Sequence, residues 1–123
     1  MLRIVGVQRT EIVEQEFLLL QNQGSLRVSL RGHVVMAERA ILCGDLCNFA
    51  HVFTDDESIP AGLYVLLSTG AGLPHWGKTK DGAHVYHAYA GRLLPLWWDS
   101  DGPIHVLSPC HSYVERADPL VLR

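Results

Sequence analysis

Several features that would place the chain in a familiar functional class are missing from its 123 residues. Lysine and arginine number 10 against 13 aspartates and glutamates, and no window has the run of basic residues typical of a nucleic-acid binder. No apolar stretch approaches the roughly 18 residues that span a membrane, and none has the long apolar core of a secretory signal peptide. We therefore expect no nucleic-acid partner, no membrane span and no secretion.

Cysteine is also scarce. The three cysteines, Cys43, Cys47 and Cys110, cannot all pair within one chain, so we expect free thiols and a reducing compartment, the cytoplasm. Apolar residues make up 48% of the chain and charged residues 19%, an ordinary balance for a globular protein. Repeats and low-complexity linkers are absent, and the length predicts one domain with one core over residues 1–123.

What the sequence does contain is a series of short apolar runs separated by turn residues. Such runs, rich in β-branched and aromatic residues, are typical of the strands of a sandwich or barrel. We predict an all-β fold with one helix over residues 36–46. The predicted strands cover residues 3–7, 17–20, 28–36, 63–67, 84–89, 93–98 and 104–107.

The stretch from Gly72 to Thr79 matches the pattern of a phosphate-binding loop, G-x-x-x-x-G-K-T. Such a loop must open a helix whose first N–H groups hold the phosphates, but Gly82 and a β-rich run follow Thr79 here. Pro74 also removes one amide that a phosphate would need. We interpret the segment as a glycine-rich connection between two strands, with nucleotide binding as the alternative.

A second set of residues resembles a metal site. Cys43, Cys47 and His51 follow the spacing C-x3-C-x3-H, and Cys110 adds a distant thiol. Zinc is well bound by thiolates and imidazoles, and one continuous helix would place the first three residues on one face. Gly44, Asp45 and Asn48 favour a loop there, so we predict no metal at this set. The sequence also has no H-x-x-x-H or G-x-S-x-G pattern, so we predict no cofactor and no catalytic residue. A small metal- or nucleotide-binding protein, or an enzyme using this set or the Gly72–Thr79 loop, is the alternative function.

The first half of the chain carries a longer ordered pattern. Residues 16–22 read Glu-Phe-Leu-Leu-Leu-Gln-Asn, and a glycine turn leads to Val-Ser-Leu-Arg-Gly-His at residues 28–33. From about residue 14 to residue 113 the chain resembles the lamin-tail domain. That family opens with E-[FY]-hydrophobic-x-L-x-N, continues with V-x-L-x-G-W, and later has a P-x-G turn and a G-x-G loop before a tryptophan. Pro-Ala-Gly at residues 60–62 and Gly-Ala-Gly at residues 70–72, before Trp76, follow this order.

The resemblance implies an immunoglobulin-like antiparallel β-sandwich that binds protein without catalysis. Members of the family mostly serve as accessory modules that bind protein, and in some cases nucleic acid or a surface. Two positions depart from the pattern. His33 stands where the family usually has tryptophan, and Pro-Cys-His at residues 109–111 replaces a turn with glycine.

The strand at residues 17–22 also predicts a binding surface. The resemblance places Leu18, Leu20 and Asn22 toward the core, so alternation points Phe17 and Leu19 to the opposite face. The outer row of such a strand is normally polar. We therefore predict that Phe17 and Leu19 lie in an interface, with a second copy in a homodimer, with another protein, or beneath residues 118–122 of the same chain. The predicted function is protein binding or assembly, including self-association.

Overall fold

The computed structural model describes residues 1–100 and 102–109. This part of the chain is mainly β, as predicted, and contains only short helices. The elements in chain order are β1 (Leu2–Gln8), a 3-10 turn (Val13–Gln15), β2 (Phe17–Asn22), β3 (Val28–Ser29), β4 (Val34–Ala37), α1 (Glu38–Cys43), α2 (Leu46–Phe49), β5 (Ala50–Val52), β6 (Ser58–Ile59), β7 (Tyr64–Ser68), β8 (His75–Lys78), β9 (His84–Tyr89) and β10 (Ile104–Leu107).

The largest sheet has its described strands in the order β1-β2-β7-β9-β8. Strand β2 lies inside this sheet and alternates along its whole length, because successive side chains of a strand point to opposite faces. Leu18 and Leu20 are fully buried, whereas Phe17 and Leu19 are half-buried on the other side. The predicted orientation of this strand is therefore confirmed.

The pairing of this sheet corrects the prediction that the fold is antiparallel. Strands β7 and β9 run parallel, with Val65 opposite Tyr86 and Leu67 opposite Ala88. The reason is the hairpin of β8 and β9, which enters the sheet with β9 next to β7. The chain reverses twice between β7 and β9, so both strands run in the same direction, while β8 pairs antiparallel with β9 at the edge of the described sheet.

The remaining strands form a three-stranded sheet, β10-β4-β5, and a two-stranded sheet, β3-β6. Residues of the largest sheet share one hydrophobic core with residues of both smaller sheets. Trp97 is the largest of its fully buried side chains. The core residues are Leu2, Leu18, Leu20, Leu30, Val35, Ala37, Phe53, Ile59, Val65, Leu67, Tyr86, Ala88, Leu96 and Trp97.

The strand predicted over residues 28–36 is divided into β3 and β4. A turn separates them, closed by the His33 N–H donating to the Leu30 carbonyl at 3.2 Å, and Gly32 takes a φ of 89° that L-residues rarely adopt. The division lets β3 pair with β6 while β4 pairs with β5 and β10. One apolar run therefore supplies two sheets.

Two further predictions were wrong in detail. Residues 93–98 do not form a strand. The single helix predicted over residues 36–46 is instead a pair of short helices. Helix α1 ends at Cys43 because Gly44 adopts a left-handed φ of 69°, and Asp45 then caps α2 by accepting a hydrogen bond from the Asn48 N–H.

Buried polar side chains lie at both ends of β2. Glu16, just before the strand, has no exposed surface, and its Oε1 accepts hydrogen bonds from the Thr69 hydroxyl at 2.8 Å and from the Leu96 N–H at 2.7 Å. Asn22, its last residue, is equally buried and donates to the carbonyls of Leu26 and Ile59, each at 2.9 Å. Both side chains thus form hydrogen bonds with distant segments, whereas Oε2 of Glu16 is buried without a hydrogen-bond partner among the described residues.

His33 occupies the position where the family resemblance implies tryptophan. Its side chain is buried, and its Nδ1 lies 3.1 Å from the Leu30 carbonyl oxygen. Burial lowers the pKa of His33, because the charged imidazolium loses its hydration. The histidine therefore fills its place in the neutral form.

The alternation of β2 predicts unequal effects at two neighbouring positions. Leu20→Ala removes fully buried apolar volume and should reduce the free energy of unfolding by about 2–5 kcal/mol. Gln21→Ala removes two exposed hydrogen bonds, one donated to the Gly62 carbonyl and one accepted from the Gln23 side chain, and should stay within about 0.5 kcal/mol of the parent. Urea unfolding of both variants measures the difference, and equal losses would contradict the described register.

The neutral state of His33 predicts a dependence of stability on pH. In the unfolded chain His33 binds a proton near its ordinary pKa of about 6.5. In the folded chain it binds a proton only at a lower pH, because burial lowers its pKa. Stability should therefore fall as the pH drops below about 6.5, because the unfolded state then binds more protons. Urea unfolding at about pH 7.5 and about pH 5 should show a smaller acid loss for His33→Gln than for the parent. An equal loss in both proteins would show that His33 does not contribute.

Candidate functional site

The Gly72–Thr79 stretch lacks the form of a phosphate-binding loop. Its second half is strand β8, in which Lys78 lies opposite His84, and a turn closed by the Thr79 N–H and the Ala83 carbonyl at 2.8 Å follows it. A helix should begin here in a P-loop, but the chain enters β9. Gly72 serves packing: a Cβ on it would lie 2.3 Å from the Tyr89 ring.

The Cys/His set is divided among separate elements. Cys43 ends α1 and Cys47 lies in α2, both exposed as free thiols, while His51 lies on β5 with its ring centroid 4.9 Å from that of Phe53. Burial lowers the pKa of His51. Within residues 1–100 and 102–109, no three His, Cys, Asp or Glu side chains converge on a possible metal position. Cys110 lies outside the described residues.

The predicted interface residues belong to a wider surface, which we call the outer face. Cross-strand partners on β2, β7 and β9 project to the same side of the sheet, and they form three rows on the side opposite the core. The rows are Phe17, Ser68 and Tyr89; Leu19, Leu66 and His87; and Gln21, Tyr64 and Val85.

The nine residues of the outer face include no Asp, Glu, Lys or Arg. The charged side chain beside them is that of Arg3 on β1, the cross-strand partner of Gln21 at the margin of the face. Eight of the nine are half-buried and Val85 is buried, because the side chains of neighbouring strands shield one another. The exposed face of a sheet is usually polar. An uncharged face in a chain with 19% charged residues therefore identifies a candidate interaction surface.

A pair of histidines extends the outer face toward β8. His75 lies opposite His87, and the rings stack with centroids 4.5 Å apart and planes 4° from parallel. Burial, together with the charge that His75 can carry, lowers the pKa of His87. His87 is therefore uncharged at neutral pH, which keeps the middle row of the outer face neutral.

Sequence reasoning found Phe17 and Leu19 but missed the other members of the outer face. The alternating patterns at residues 63–67 and 84–89 contained the necessary signal. What was missing was the order of strands, because nothing in the sequence stated that β7 and β9 are neighbours and parallel. Residues 118–122, the predicted alternative cover for Phe17 and Leu19, lie outside the described residues.

A second candidate surface lies between α2 and residues 91–99, and we call it the helix–loop groove. It encloses about 650 Å³, within the range of ligand sites in proteins. Apolar side chains dominate its lining, and carboxylates stand among them. The principal lining residues are Phe49, Leu93, Leu94, Trp98, Asp45 and Asp99.

The loop that forms one wall of this groove is held at both ends. At its start, the Gly91 and Arg92 N–H groups donate to the carbonyls of Gly70 and Thr69 at 3.0 and 2.9 Å. At its other end, the Leu96 and Trp97 N–H groups donate to Oε1 of Glu16 at 2.7 and 3.1 Å.

Two arginines connect this loop to the helices. Arg92 donates to the carbonyls of Cys47 and Ala50, and Arg39 donates to the Asp99 carbonyl at 2.8 Å and to its carboxylate at 3.3 Å. Hydrogen bonds from these two arginines thus connect the two sides of the groove.

Comparisons with protein-family models, with curated proteins and with solved structures found no match to this chain. Among the described residues, no helix is long and apolar enough to cross a membrane. The lamin-tail resemblance therefore rests on the sequence pattern alone.

The hydrogen bonds of Glu16 predict which substitutions the loop tolerates. Glu16→Ala leaves the Thr69 hydroxyl and two backbone N–H groups without their acceptor, and each buried unmet donor costs about 1–3 kcal/mol. Glu16→Gln keeps an oxygen at that position and should lose less stability, although its NH2 group takes the place of Oε2, which has no hydrogen-bond partner among the described residues. Urea unfolding measures both losses, and amide exchange should report faster opening at Leu96 and Trp97 in the alanine variant alone. Equal losses in the two variants would contradict the role assigned to Oε1.

Proposed function

We propose that this protein is a non-catalytic assembly module that pairs with a second copy of itself through the outer face. The observation that carries the proposal is the absence of formal charge from all nine residues of that face. Phe17 and Leu19 lie in two of its three rows, where the sequence pattern predicted an interface. The fold proposed for the module is an immunoglobulin-like sandwich of the lamin-tail type.

The behaviour of the family motif supports this proposed fold. Glu16 and Asn22, the polar ends of the motif strand, are both buried and hydrogen-bonded to distant segments, and Leu18 and Leu20 fill the core between them. A motif whose every second position is structurally used is consistent with membership of the family. The exposed free thiols of Cys43 and Cys47 are in turn consistent with the predicted cytoplasmic location.

A second copy fits the outer face better than a charged partner does. In a two-fold symmetric dimer the same patch meets itself, so a charge near the symmetry axis would face its own copy. The outer face avoids this cost because its polar members are Ser68, Gln21, His87 and the tyrosines, which are neutral or can form hydrogen bonds in either direction. Fully covering Leu19 or Phe17 would contribute at most about 1.5–3 kcal/mol each, and less here because both are already half-buried.

Self-association is tested by placing a charge in the middle row. The wild-type protein should scatter light as a particle of about twice the 13.7 kDa chain mass. Leu19→Glu should be a folded monomer, because two glutamates would meet across the symmetry axis or lose their hydration. Leu26→Glu is the matched control, since Leu26 is 77% exposed and lies outside the outer face. It should remain a dimer.

The other outcomes are equally informative. A monomeric wild type that loses stability on Leu19→Glu would show that another part of the chain covers the face. A monomeric wild type whose Leu19→Glu variant is as stable as the parent would overturn the proposal, because the face would then simply be exposed. Dissociation of the Leu26→Glu control would show that negative charge alone prevents association.

A further inference from the structure

The helix–loop groove carries the most exposed apolar side chains of its region. Leu93 is 92% exposed, Leu94 76% and Trp98 51%. Single exposed apolar residues are common in proteins, but a contiguous group beside a formed groove marks a binding surface. This group lies apart from the nine residues of the outer face, so the inference does not depend on self-association.

The exposure of these side chains is imposed by the fold. Hydrogen bonds from Arg92 to Thr69 and from Leu96 to Glu16 hold the loop on either side of Leu93 and Leu94. A loop fixed at both ends cannot readily turn its apolar tip toward the core. A partner that binds such a preformed surface avoids much of the entropy cost of ordering a loop.

The charges at the groove indicate the chemistry of the partner. Asp45 accepts hydrogen bonds from the Asn48 side chain at 2.9 Å and from the Asn48 N–H at 3.2 Å, and these bonds lower the pKa of Asp45. The carboxylate is therefore ionised at neutral pH. In the described part of the chain no cation lies within 4.0 Å of it, since the ion pairs there join Arg39 to Asp99 and His105 to Glu38.

Arg92, the cation that lines the groove in the described part of the chain, already has hydrogen-bond partners. The guanidinium of Arg92 donates to two backbone carbonyls, Cys47 and Ala50, and so fixes the wall of the groove. Asp99 is paired only at the surface, with 90% of its side chain exposed. The groove therefore presents apolar contacts next to the carboxylate of Asp45, which Arg39 influences only from beyond ion-pair distance.

We propose that the helix–loop groove binds a short segment of a partner protein in which apolar side chains adjoin a lysine or arginine. The apolar side chains of the segment cover Leu93, Leu94 and Trp98, and its cation pairs with Asp45. A bilayer fits the surface less well, because carboxylates at the groove repel the anionic headgroups of a membrane surface. The volume of about 650 Å³ accommodates a few side chains of such a segment.

A selection from random peptides tests this inference directly. Random peptides of about twelve residues, the length of an average helix, are displayed. They are selected in parallel on the wild-type protein and on the double variant Leu93→Ser/Leu94→Ser. Peptides retained only by wild type should combine neighbouring apolar residues with lysine or arginine. Their affinity should fall at least about tenfold in the double variant, as expected when two large apolar contacts are lost.

Asp45→Asn separates the charge from the apolar contacts. Asparagine can still accept the hydrogen bond from the Asn48 N–H, so the helix cap is retained. Affinity for the selected peptides should fall by about two- to fivefold, the range for an exposed ion pair. Added salt should weaken the wild-type complex and leave the Asp45→Asn complex nearly unchanged.

Several outcomes would overturn the inference. These are enrichment of acidic peptides, enrichment of apolar peptides without a basic residue, or equal retention by wild type and the double variant. Sedimentation of wild type, but not of the double variant, with phosphatidylcholine vesicles containing phosphatidylserine would assign the groove to membranes instead. Failure here is distinguishable from failure of self-association, because Leu19→Glu should keep peptide binding and the double variant should keep its mass by light scattering.

Discussion

One carboxylate oxygen connects the parts of this protein on which its proposed interactions depend. Oε1 of Glu16 accepts three hydrogen bonds, one from the Thr69 hydroxyl and two from the backbone of Leu96 and Trp97. Glu16 is fully buried, so an unmet donor at this point would be costly. Because Phe17 follows Glu16 directly, the same residue fixes the start of the outer face and the far end of the loop beside the helix–loop groove. Both surfaces therefore depend on the hydrogen bonds of Glu16.

The two surfaces differ in physical character. The outer face is uncharged and half-buried, and its neutrality depends in part on the lowered pKa of His87. Acid would place charge in its middle row and oppose association. The helix–loop groove is instead strongly exposed and lies beside an ionised carboxylate, Asp45. A neutral surface suits a second copy of the same chain, whereas an apolar groove with a carboxylate suits a different, basic segment.

Some of this arrangement could be predicted from the sequence. The strands at residues 84–89 and 104–107 were predicted with the bounds they have, and the alternation of β2 was predicted correctly. These elements follow from local patterns of side chains, which the sequence states directly. The polar residues at the two ends of β2, Glu16 and Asn22, are buried and form hydrogen bonds with distant segments.

The failures have a common cause. Residues 93–98 were predicted to be a strand because their run is apolar, yet the Leu96 and Trp97 N–H groups donate to Glu16, 80 and 81 residues earlier in the chain. The Gly-rich stretch was predicted as a connection only, although β8 forms within it because β9 offers hydrogen bonds at that edge. In both cases the deciding partner is distant in sequence. The helix–loop groove was missed for the same reason, since α2 and the loop become neighbours only in the fold.

The pairing of outer faces is tested most directly by measuring a distance between two copies. After the native cysteines are replaced by serine, a spin label is placed on Ser68→Cys, within the outer face, and in a second protein on Ser29→Cys, an exposed position on β3. Pulsed dipolar spectroscopy should show a narrow distribution of distances between chains for the label at Ser68, shorter than for the label at Ser29. A distance at Ser29 shorter than that at Ser68, or no dipolar signal between chains at either position, would contradict the account.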